Sequence, residues 1–378
     1  MAGRRKQRKQ EKVVFYDYGL LFIILFLVGF GLIMIYSTSY YSATIHKNGD
    51  SMYYLKRQGL LAMVGIVAML LISKMDYRWV LKPIPRTKIP WVVFIYLVAV
   101  VLQTYVLFGG IELNGAKRWI SLGPLGTFQP SDLSKAAVIF MIAFMVNQKP
   151  RALDSIKGFI TIAIPVGILL LLIAIENMST AIVVGLILMF MCYIASRKLW
   201  YFLLMGAAGG GLGALYILLG EGFRMERIQI WLNVETHEKG GQILQGLYAI
   251  ASGGAFGKGL GQSMQKLGYV PEAQNDMIFS IICEELGMFG AFAIMLVFIL
   301  LFWHILQIAM NAPDLFGGML CSGVLVHVAS QVLLNIAVVT NSIPSTGVAL
   351  PFISYGGTSV MILLAEMGIV LSVSNRIR

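Results

Sequence analysis

Long apolar runs separated by short polar connectors make up almost the whole sequence after residue 17. Ten runs approach the roughly 20 apolar residues that a helix needs to cross a bilayer. The ten predicted spans are residues 18–37, 59–73, 90–109, 134–147, 159–176, 180–195, 200–220, 277–303, 317–340 and 357–373. The pattern predicts an all-α polytopic membrane protein, with one large polar loop at residues 221–276 between the seventh and eighth spans.

Composition and charge support a membrane protein and predict its orientation. The chain is 58% hydrophobic and 12% charged, whereas a soluble domain has about 25% charged residues. Eighteen of the 29 Lys and Arg residues lie at the two ends and in alternate connectors, which the positive-inside rule assigns to the cytoplasm. We therefore predict a basic cytoplasmic tail at 1–17 and a single ten-helix transmembrane domain at 18–378. Both termini are expected in the cytoplasm and the loop 221–276 outside it.

Four connectors on the predicted outer face are longer or more polar than simple turns require. They cover residues 38–58, 110–133, 221–276 and 343–357. Within the third, residues 223–232 and 242–251 have the spacing of amphipathic helices that lie along a membrane interface. Because the cytoplasmic connectors are short, we expect the function to belong to the outer face.

The glycine-rich segment 252–263 in the large loop is open to two interpretations. It does not have the Walker A spacing, because Ser252 stands at the first glycine position and Gly259 follows Lys258. It is either a flexible turn or a nest of backbone amides with one cation, suited to phosphate oxygens. The run around Gly209 and Gly213 in the seventh span is typical of close helix packing.

Ionisable residues at the membrane are functional candidates, because a charge there is costly unless it is paired or hydrated. Asp132 and Lys135 stand three residues apart at the start of the fourth span, so they share one helix face. They form either a structural ion pair or a site in which Lys135 holds an anionic group. Glu284 and Glu285 cannot share a face, and for both we favour structural hydrogen bonding; Glu366 is isolated in the last span.

Asp276 ends the polar loop at the start of the eighth span. It is either a helix cap, since Asp accepts amide hydrogen bonds there, or a catalytic carboxylate. The second interpretation gains from the polar residues predicted on the same membrane face. These are Glu272, Lys258, Lys266, Lys117 and Arg118. The position beside an apolar span should raise the pKa of Asp276 and improve it as a base.

The three cysteines and four histidines show no metal-binding spacing. The cysteines are expected to be small buried side chains.

Seven motifs in order resemble the SEDS family (shape, elongation, division and sporulation), which includes RodA, FtsW and SpoVE. The motifs are NGAKRWI at 114–120, FQPSDLSK at 128–135, GKGLG at 257–261, QKL at 265–267, PEAQND at 271–276, EELG at 284–287 and LPFISYGG at 350–357. The resemblance runs from Asp17 to the end of the chain. The sequence at 36–39 and the Pro-Glu-Ala run at 271–273 lean toward the division and sporulation branch.

The resemblance implies a bacterial peptidoglycan glycosyltransferase that polymerises lipid II on the outer face of the cytoplasmic membrane. It implies a class B penicillin-binding protein, a transpeptidase, as partner. Asp276 matches the catalytic aspartate of the family, and Asp132 and Lys135 match an acid–lysine pair that lines its central cavity. Two departures stand out: the family mostly has glutamate at position 132, and residues 176–180 replace a Pro-Asp-Phe/Leu-Gly-Thr run.

The predicted mechanism is an inverting transfer with Asp276 as general base. Lys117, Arg118, Lys135 and Lys258 are the candidate clamps for the leaving diphosphate, and Lys266, Glu272 and Asp132 complete the predicted substrate-binding set. A divalent cation, Mg2+ or Mn2+, could share the clamp, although the sequence shows no two-carboxylate cage. The alternatives are a lipid II flippase, with Asp132, Lys135 and Glu284 along its path, and a non-catalytic scaffold for the transpeptidase.

Overall fold

The computed structural model describes residues 16–113, 116–121, 123, 126–196, 198, 206–207, 209–211 and 222–377. The helices are α1 Tyr18–His46, α2 Tyr53–Lys74, α3 Trp91–Gly109, α4 Pro130–Gln148, α5 Ile156–Glu176, α6 Met178–Ala195, α7 Gly222–Leu232, α8 Gly241–Gly253, α9 Ile278–Met310, α10 Leu315–Val339 and α11 Thr358–Ser374. Short 3₁₀ helices cover Tyr77–Leu81, Ala152–Asp154 and Glu238–Gly240. Three short strands are β1 Ile111–Leu113, β2 Ala116–Ser121 and β3 Thr127–Phe128.

The helices confirm the predicted all-α membrane architecture. Eight of them, α1 to α6, α9 and α10, are long and apolar enough to cross a bilayer, and α11 is a shorter apolar helix. These nine helices correspond to nine of the ten predicted spans. The predicted span 200–220, with its Gly209–Gly213 packing motif, lies almost wholly outside the described residues. The amphipathic segments of the large loop form α7 and α8, as predicted.

Helices α4 and α10 lie at the centre of the bundle. Helix α4 packs against α3, α5, α6 and α10, and α10 packs against α4, α6, α9 and α11. By contrast, α1, α3 and α5 expose large apolar side chains such as Phe22, Phe108 and Leu171. A lipid-facing surface explains this exposure, because lipid tails solvate apolar side chains. Polar groups in α4 and α10 must therefore find partners within the protein.

The first polar connector is shorter than predicted. Helix α1 continues to His46 and α2 begins at Tyr53, so most of the segment 38–58 is helical. The apolar runs predicted too short a length for both helices, because tyrosine, serine and charged residues extend the helices beyond their hydrophobic parts. Arg57 and Gln58 therefore lie on the first turns of α2.

The second connector contains a small sheet that the sequence did not indicate. Its strands are antiparallel in the order β1-β2-β3, with Ile120 opposite Phe128. The strands are too short for the two-residue alternation to be distinguished from an irregular loop. Since β2 carries Lys117 and Arg118, the sheet decides where these two candidates point.

Helix α9 is broken at Gly287, which has φ 69° and ψ −173°. The glycine-rich segment fills the gap: Met288 N donates to Gly254 O at 2.9 Å and Phe289 N to Ala255 O at 3.1 Å. A side chain at Gly287 would collide with the backbone of this segment. Glycine is therefore required by both the positive φ and the close approach.

Candidate functional site

The predicted outer connectors meet at one end of the bundle. Gln58 Nε2, on α2, donates to Ser354 O at 3.4 Å. Thr358 Oγ1 donates at 3.3 Å to the backbone oxygen of Thr127, beside the sheet. The segment before α11, residues 340–357, is thus a common contact. The turn 271–276 of the large loop is bonded to the same segment. We call this end of the bundle the site end.

The turn at 271–276 is fixed by backbone hydrogen bonds. Tyr355 N donates to Gln274 O at 2.9 Å. Asn335 Nδ2, from the buried helix α10, donates to both Asp276 O and Val348 O at 2.8 Å. A buried amide that joins two loops in this way positions the backbone of Asp276 against the segment before α11.

Asp276 stands one residue before the N-cap of α9. Met277 occupies the cap position, and its side chain makes no capping bond. The Asp276 carboxyl is half-buried and lies beside Gly347, where an added Cβ would come 3.7 Å from Oδ2. The carboxyl therefore lies against the segment before α11, and Asp276 is not the N-cap residue of the helix.

The surroundings of Asp276 shift its acidity in the direction that the sequence predicted. Burial raises the pKa of the carboxyl above its usual range, and the negative charge of Glu272 adds to this effect. Arg227 and backbone amide groups oppose the shift without cancelling it. A carboxylate with a raised pKa holds a proton more strongly, which is what a general base requires.

Arg227 is the site residue that sequence reasoning missed. Its Nη1 donates to Ser345 O at 3.1 Å, and Trp231 Nε1 donates to Asn341 O at 2.9 Å. These two bonds fasten α7 to the segment before α11, and they bring the Arg227 charge near Asp276. The amphipathic pattern of residues 223–232 predicted the helix but could not indicate which polar residue faces the site.

Arg118 lies close to Arg227. Its Nε donates to Glu176 O at 2.7 Å. Burial lowers the pKa of Arg118, and the positive charge of Arg227 adds to that effect while Glu176 opposes it. Two guanidinium groups that repel each other are thus held close together by backbone carbonyls, and Arg227 is the one near the Asp276 carboxyl. Such an arrangement favours an anion between them, because the anion would relieve the repulsion.

The turn at 176–180 keeps a structural role despite its departure from the family pattern. Besides the bond to Arg118, Glu176 Oε2 accepts a hydrogen bond from Lys117 N at 3.0 Å. Asn177 Oδ1 accepts one from Thr180 N at 3.1 Å and so caps α6. The turn therefore holds strand β2 in place. Lys117 itself lies opposite Glu112 in the sheet register.

Asp132 and Lys135 form the predicted contact. Lys135 Nζ and Asp132 Oδ1 are 2.8 Å apart, and both side chains are almost fully buried at the start of α4. The pair neutralises itself within the first helical turn. Its role in substrate binding stays a prediction.

Glu284 is paired with Lys258, which was predicted to bind substrate. Lys258 Nζ lies 2.7 Å from Glu284 Oε1, and Ser263 Oγ donates to Glu284 Oε2. Lys258 N and Gly259 N donate to the carbonyls of Glu284 and Glu285 at 3.0 and 2.9 Å. These amides of the glycine-rich segment are occupied by the helix backbone, so they do not form the phosphate nest considered from the sequence.

Glu285 is paired with Lys266, the second lysine of the loop predicted to bind substrate. Lys266 Nζ lies 2.7 Å from Glu285 Oε1, with both side chains almost completely inaccessible. Ser37 Oγ on α1 donates to Glu285 at 2.7 Å and accepts from Lys266 Nζ at 3.0 Å. The structural interpretation favoured for both glutamates is confirmed by these partners. We call Lys258, Lys266, Glu284 and Glu285 the paired-charge clasp.

Glu366, isolated in the sequence, has a partner in the fold. His327 Nδ1 and Glu366 Oε2 lie 2.8 Å apart in the core, between α10 and α11. Sequence spacing could not reveal this pair, because 39 residues separate its members.

The residues described here do not match a protein-only metal cage. Within the described ranges, no group of three or more His, Cys, Asp or Glu side chains could hold a metal ion. Near Asp276, the neighbouring carboxylate is Glu272, whose Oε2 accepts a hydrogen bond from Asn275 Nδ2 at 2.8 Å.

Comparison with known proteins identifies the family. The FtsW/RodA/SpoVE family model, described as "Cell cycle protein", matches residues 18–378. The chain is 38% identical over 362 residues to stage V sporulation protein E of Bacillus subtilis, which covers 95% of this chain and 96% of the relative. It is 37% identical over 378 residues to the probable peptidoglycan glycosyltransferase FtsW of Trichlorobacter lovleyi, covering 97% and 95%. The resemblance to the division and sporulation branch agrees with these two relatives.

Solved structures have the same fold. A chain of the complex described as "Structural coordination of polymerization and crosslinking by a peptidoglycan synthase complex" superposes with a TM-score of 0.77 at 24% identity, covering 95% of this chain and 97% of that one. The rod shape determining protein RodA of Thermus thermophilus gives 0.70 at 24% identity, covering 96% and 98%. At this identity the likeness concerns the fold alone. With the match of the family model and of both relatives over nearly the whole chain, this protein belongs to the FtsW/RodA/SpoVE family.

Proposed function

We propose that this protein is a peptidoglycan glycosyltransferase that polymerises lipid II into glycan strands, with Asp276 as general base. The observation that carries the proposal is a carboxyl of raised pKa with Arg227 nearby, beside Gly347 at one end of a membrane-embedded bundle. The name of the FtsW relative supports the reaction class. Lipid II supplies both a sugar hydroxyl and a leaving diphosphate, so it needs a base and a cationic group.

The first requirement is proton removal. The 4-hydroxyl of one saccharide attacks the anomeric carbon of another, forming the new C–O bond while the C–O bond to the lipid diphosphate breaks. The hydroxyl proton passes to the Asp276 carboxylate, and the electron pair of the broken bond leaves with the diphosphate. A positioned base accelerates such a step by about 10²–10⁴-fold. A single displacement inverts the anomeric centre, so an α-linked donor gives a β-linked glycan.

The second requirement is stabilisation of the diphosphate. We assign this role to Arg118 and Arg227, because their guanidinium groups lie close together and are held by backbone carbonyls at 2.7 and 3.1 Å. A planar guanidinium can bind two phosphate oxygens at once. Lys258 and Lys266 are less suited, because each already neutralises a glutamate of the paired-charge clasp. Lys117 and Lys135 remain candidates for other parts of the substrate.

The orientation and the partner belong to the same proposal. The distribution of Lys and Arg supports cytoplasmic termini, which would put the site end outside the cytoplasm, where lipid II is polymerised. Likeness to a chain of a complex that coordinates polymerisation and crosslinking supports a crosslinking partner, a class B penicillin-binding protein. A divalent cation, Mg2+ or Mn2+, that shares the clamp stays a prediction, and the residues described at the site do not themselves provide a complete cage for it.

Polymerisation of lipid II by the purified protein in detergent tests the proposal. Detergent removes the sidedness of the membrane, so a flippase or a scaffold would leave lipid II unpolymerised. We expect glycan strands on a gel, with or without addition of a cognate transpeptidase. Lipid II that stays monomeric in both samples, combined with its transfer across the bilayer of proteoliposomes, would instead establish a flippase.

A further inference from the structure

A cluster of tyrosines stands at the site end, apart from the arginines. Tyr53 and Tyr54 begin α2, and Tyr355 belongs to the segment before α11. The rings of Tyr53 and Tyr54 meet edge to face with centroids 5.2 Å apart, and those of Tyr54 and Tyr355 do so at 5.0 Å. All three side chains are only partly buried. The rings therefore form one continuous aromatic surface rather than three separate core residues.

Arg57 adds a planar polar group to this surface. Its Nη1 donates to the Tyr53 hydroxyl at 3.0 Å, and the positive charge of the guanidinium lies near the Tyr355 hydroxyl. Among the described residues, no carboxylate lies within ion-pairing distance of Arg57. Its five donors cannot all be used by two phenols. The guanidinium is thus fixed in orientation while it retains capacity for further acceptors.

The aromatic surface is joined to the catalytic turn. Tyr355 N donates to Gln274 O at 2.9 Å, and Gln274 precedes Asp276 by two residues, a chain distance of at most about 7 Å. Glu272 on the same turn lies within electrostatic reach of Tyr54. A saccharide whose reacting atom is at Asp276 would therefore have its neighbouring sugar units beside these rings.

The chemistry of the surface fits a carbohydrate. A pyranose ring presents a flat face of C–H groups and a rim of hydroxyls, so it needs an apolar ring to lie on and polar groups at the edge. Tyrosine offers both an apolar body and a polar tip, and a guanidinium donates to several oxygens in one plane. An anion would bind better at Arg118 and Arg227, where two guanidinium groups lie close together.

We propose that Tyr53, Tyr54, Arg57 and Tyr355 form a saccharide-binding surface that holds the glycan chain beside Asp276. This inference rests on the proposed glycosyltransferase function and adds a site for the uncharged part of the substrate. The surface retains the growing strand between successive additions, and so it determines product length. The connector 38–58 and the motif 350–357, which the catalytic mechanism left unused, both contribute to it.

The first test measures product length. Tyr54→Ala and Tyr355→Ala are expected to give markedly shorter glycans from lipid II, at an initial rate of bond formation that falls much less. Tyr54→Phe keeps the ring and should retain long strands. Tyr269→Ala is the matched control, because Tyr269 is 60% exposed in the large loop and lies outside the cluster. If the alanine variants unfold in a thermal melt, Arg57→Lys, which keeps the charge but loses the fork, should shorten the strands instead.

The second test separates this inference from the proposed function. A peptide-free GlcNAc–MurNAc tetrasaccharide without lipid or diphosphate is titrated into wild-type protein by calorimetry. We expect binding that Tyr54→Ala weakens about tenfold, the loss of about 1.4 kcal/mol of ring contact, and that Tyr269→Ala preserves. Tetrasaccharide binding of this kind without any polymerisation would overturn the glycosyltransferase proposal and leave the saccharide-binding surface in place. Polymerisation with strand length unchanged in Tyr54→Ala and Arg57→Lys would overturn the saccharide-binding surface alone.

Discussion

Two groups of charges near the start of α9 differ in what holds them. In the paired-charge clasp, Lys258 and Lys266 each lie 2.7 Å from a buried glutamate. Near Asp276, eight residues before Glu284 along the chain, Arg227 donates to the backbone carbonyl of Ser345. Arg118, which lies close to Arg227, donates to the backbone carbonyl of Glu176. A carbonyl fixes the position of a guanidinium without cancelling its charge. The first group therefore stabilises the fold, whereas diphosphate binding by the second group stays a proposal.

The contrast concerns two lysines that the sequence predicts to bind substrate, a role that stays a prediction. The sequence predicts that Lys258 and Lys266 bind substrate because they are loop cations on the same predicted face as Asp276. Each lysine instead pairs with a buried glutamate of α9, since an unpaired carboxylate in the bundle would be costly. The availability of a cation thus depends on its partners and not on its location alone. Five predictions follow from this contrast, in order of expected effect.

Asp276→Asn should reduce lipid II polymerisation by about 10²–10⁴-fold, because the amide keeps the shape of the side chain but cannot accept the proton. The measurement is glycan formation in detergent, with thermal melting to confirm the fold. Asp50→Asn is the matched control, since Asp50 lies in the α1–α2 connector and forms a solvent-exposed ion pair with Lys56. Full activity of Asp276→Asn would end the assignment of a base.

Lys266→Met should destabilise the protein by about 3–5 kcal/mol, because Glu285 would remain buried without its cation. Thermal unfolding in detergent should report this loss, and the double variant Lys266→Met with Glu285→Gln should recover most of it. A single variant with normal melting but no polymerisation would move Lys266 from the clasp to the substrate site.

Arg227→Gln should lower turnover by roughly 10²–10³-fold, the effect typical of losing one donor to a developing negative charge. Arg227→Lys should fall in between, since it retains the charge without the fork. Both variants should melt as the wild type does. If stability falls in parallel with turnover, Arg227 serves only to fasten α7 to the segment before α11.

The pH profile should respond to the two charges near Asp276 in opposite directions. The base must be deprotonated, so activity is lost as pH falls through the raised pKa of Asp276. Glu272→Gln removes a negative charge that raises this pKa, so the acidic limb should move to lower pH. Arg227→Gln should move the limb of its residual activity to higher pH. If the acidic limb lies at the same pH in the wild type and in both variants, the limb does not report the ionisation of Asp276.

Lys258→Met should have the smallest effect, a loss of about 1–2 kcal/mol of stability with turnover close to that of the wild type. Glu284 would keep the bonds from Ser263 Oγ and from Met264 N at 3.2 Å. Polymerisation assays and thermal melts on the same preparations check this. A collapse of turnover with intact melting would restore Lys258 to the substrate-binding role that the sequence indicated.

The extent of successful prediction differs between helices and site. The apolar runs located nine of the ten predicted spans on helices, because bilayer thickness fixes the length of a hydrophobic helix whatever its neighbours are. The contact between Asp132 and Lys135 was also predictable, since helical geometry brings residues three apart together. The small sheet, the early start of α2 and the break at Gly287 were not predicted, because each depends on contacts with distant segments.

The sequence by itself determined a helical membrane protein of a recognisable family, the face on which its polar loops gather, and the candidate base. These follow from local hydropathy, helical periodicity and motifs. Only the tertiary structure decided which groups hold each cation, because that depends on which carboxylates and carbonyls the fold brings to each one. It placed Arg227 near Asp276 and Arg57 among three tyrosines, and it assigned Lys258 and Lys266 to the glutamates of α9. Pairing of charges across the bundle is a three-dimensional property, since partners such as His327 and Glu366 meet from separate helices.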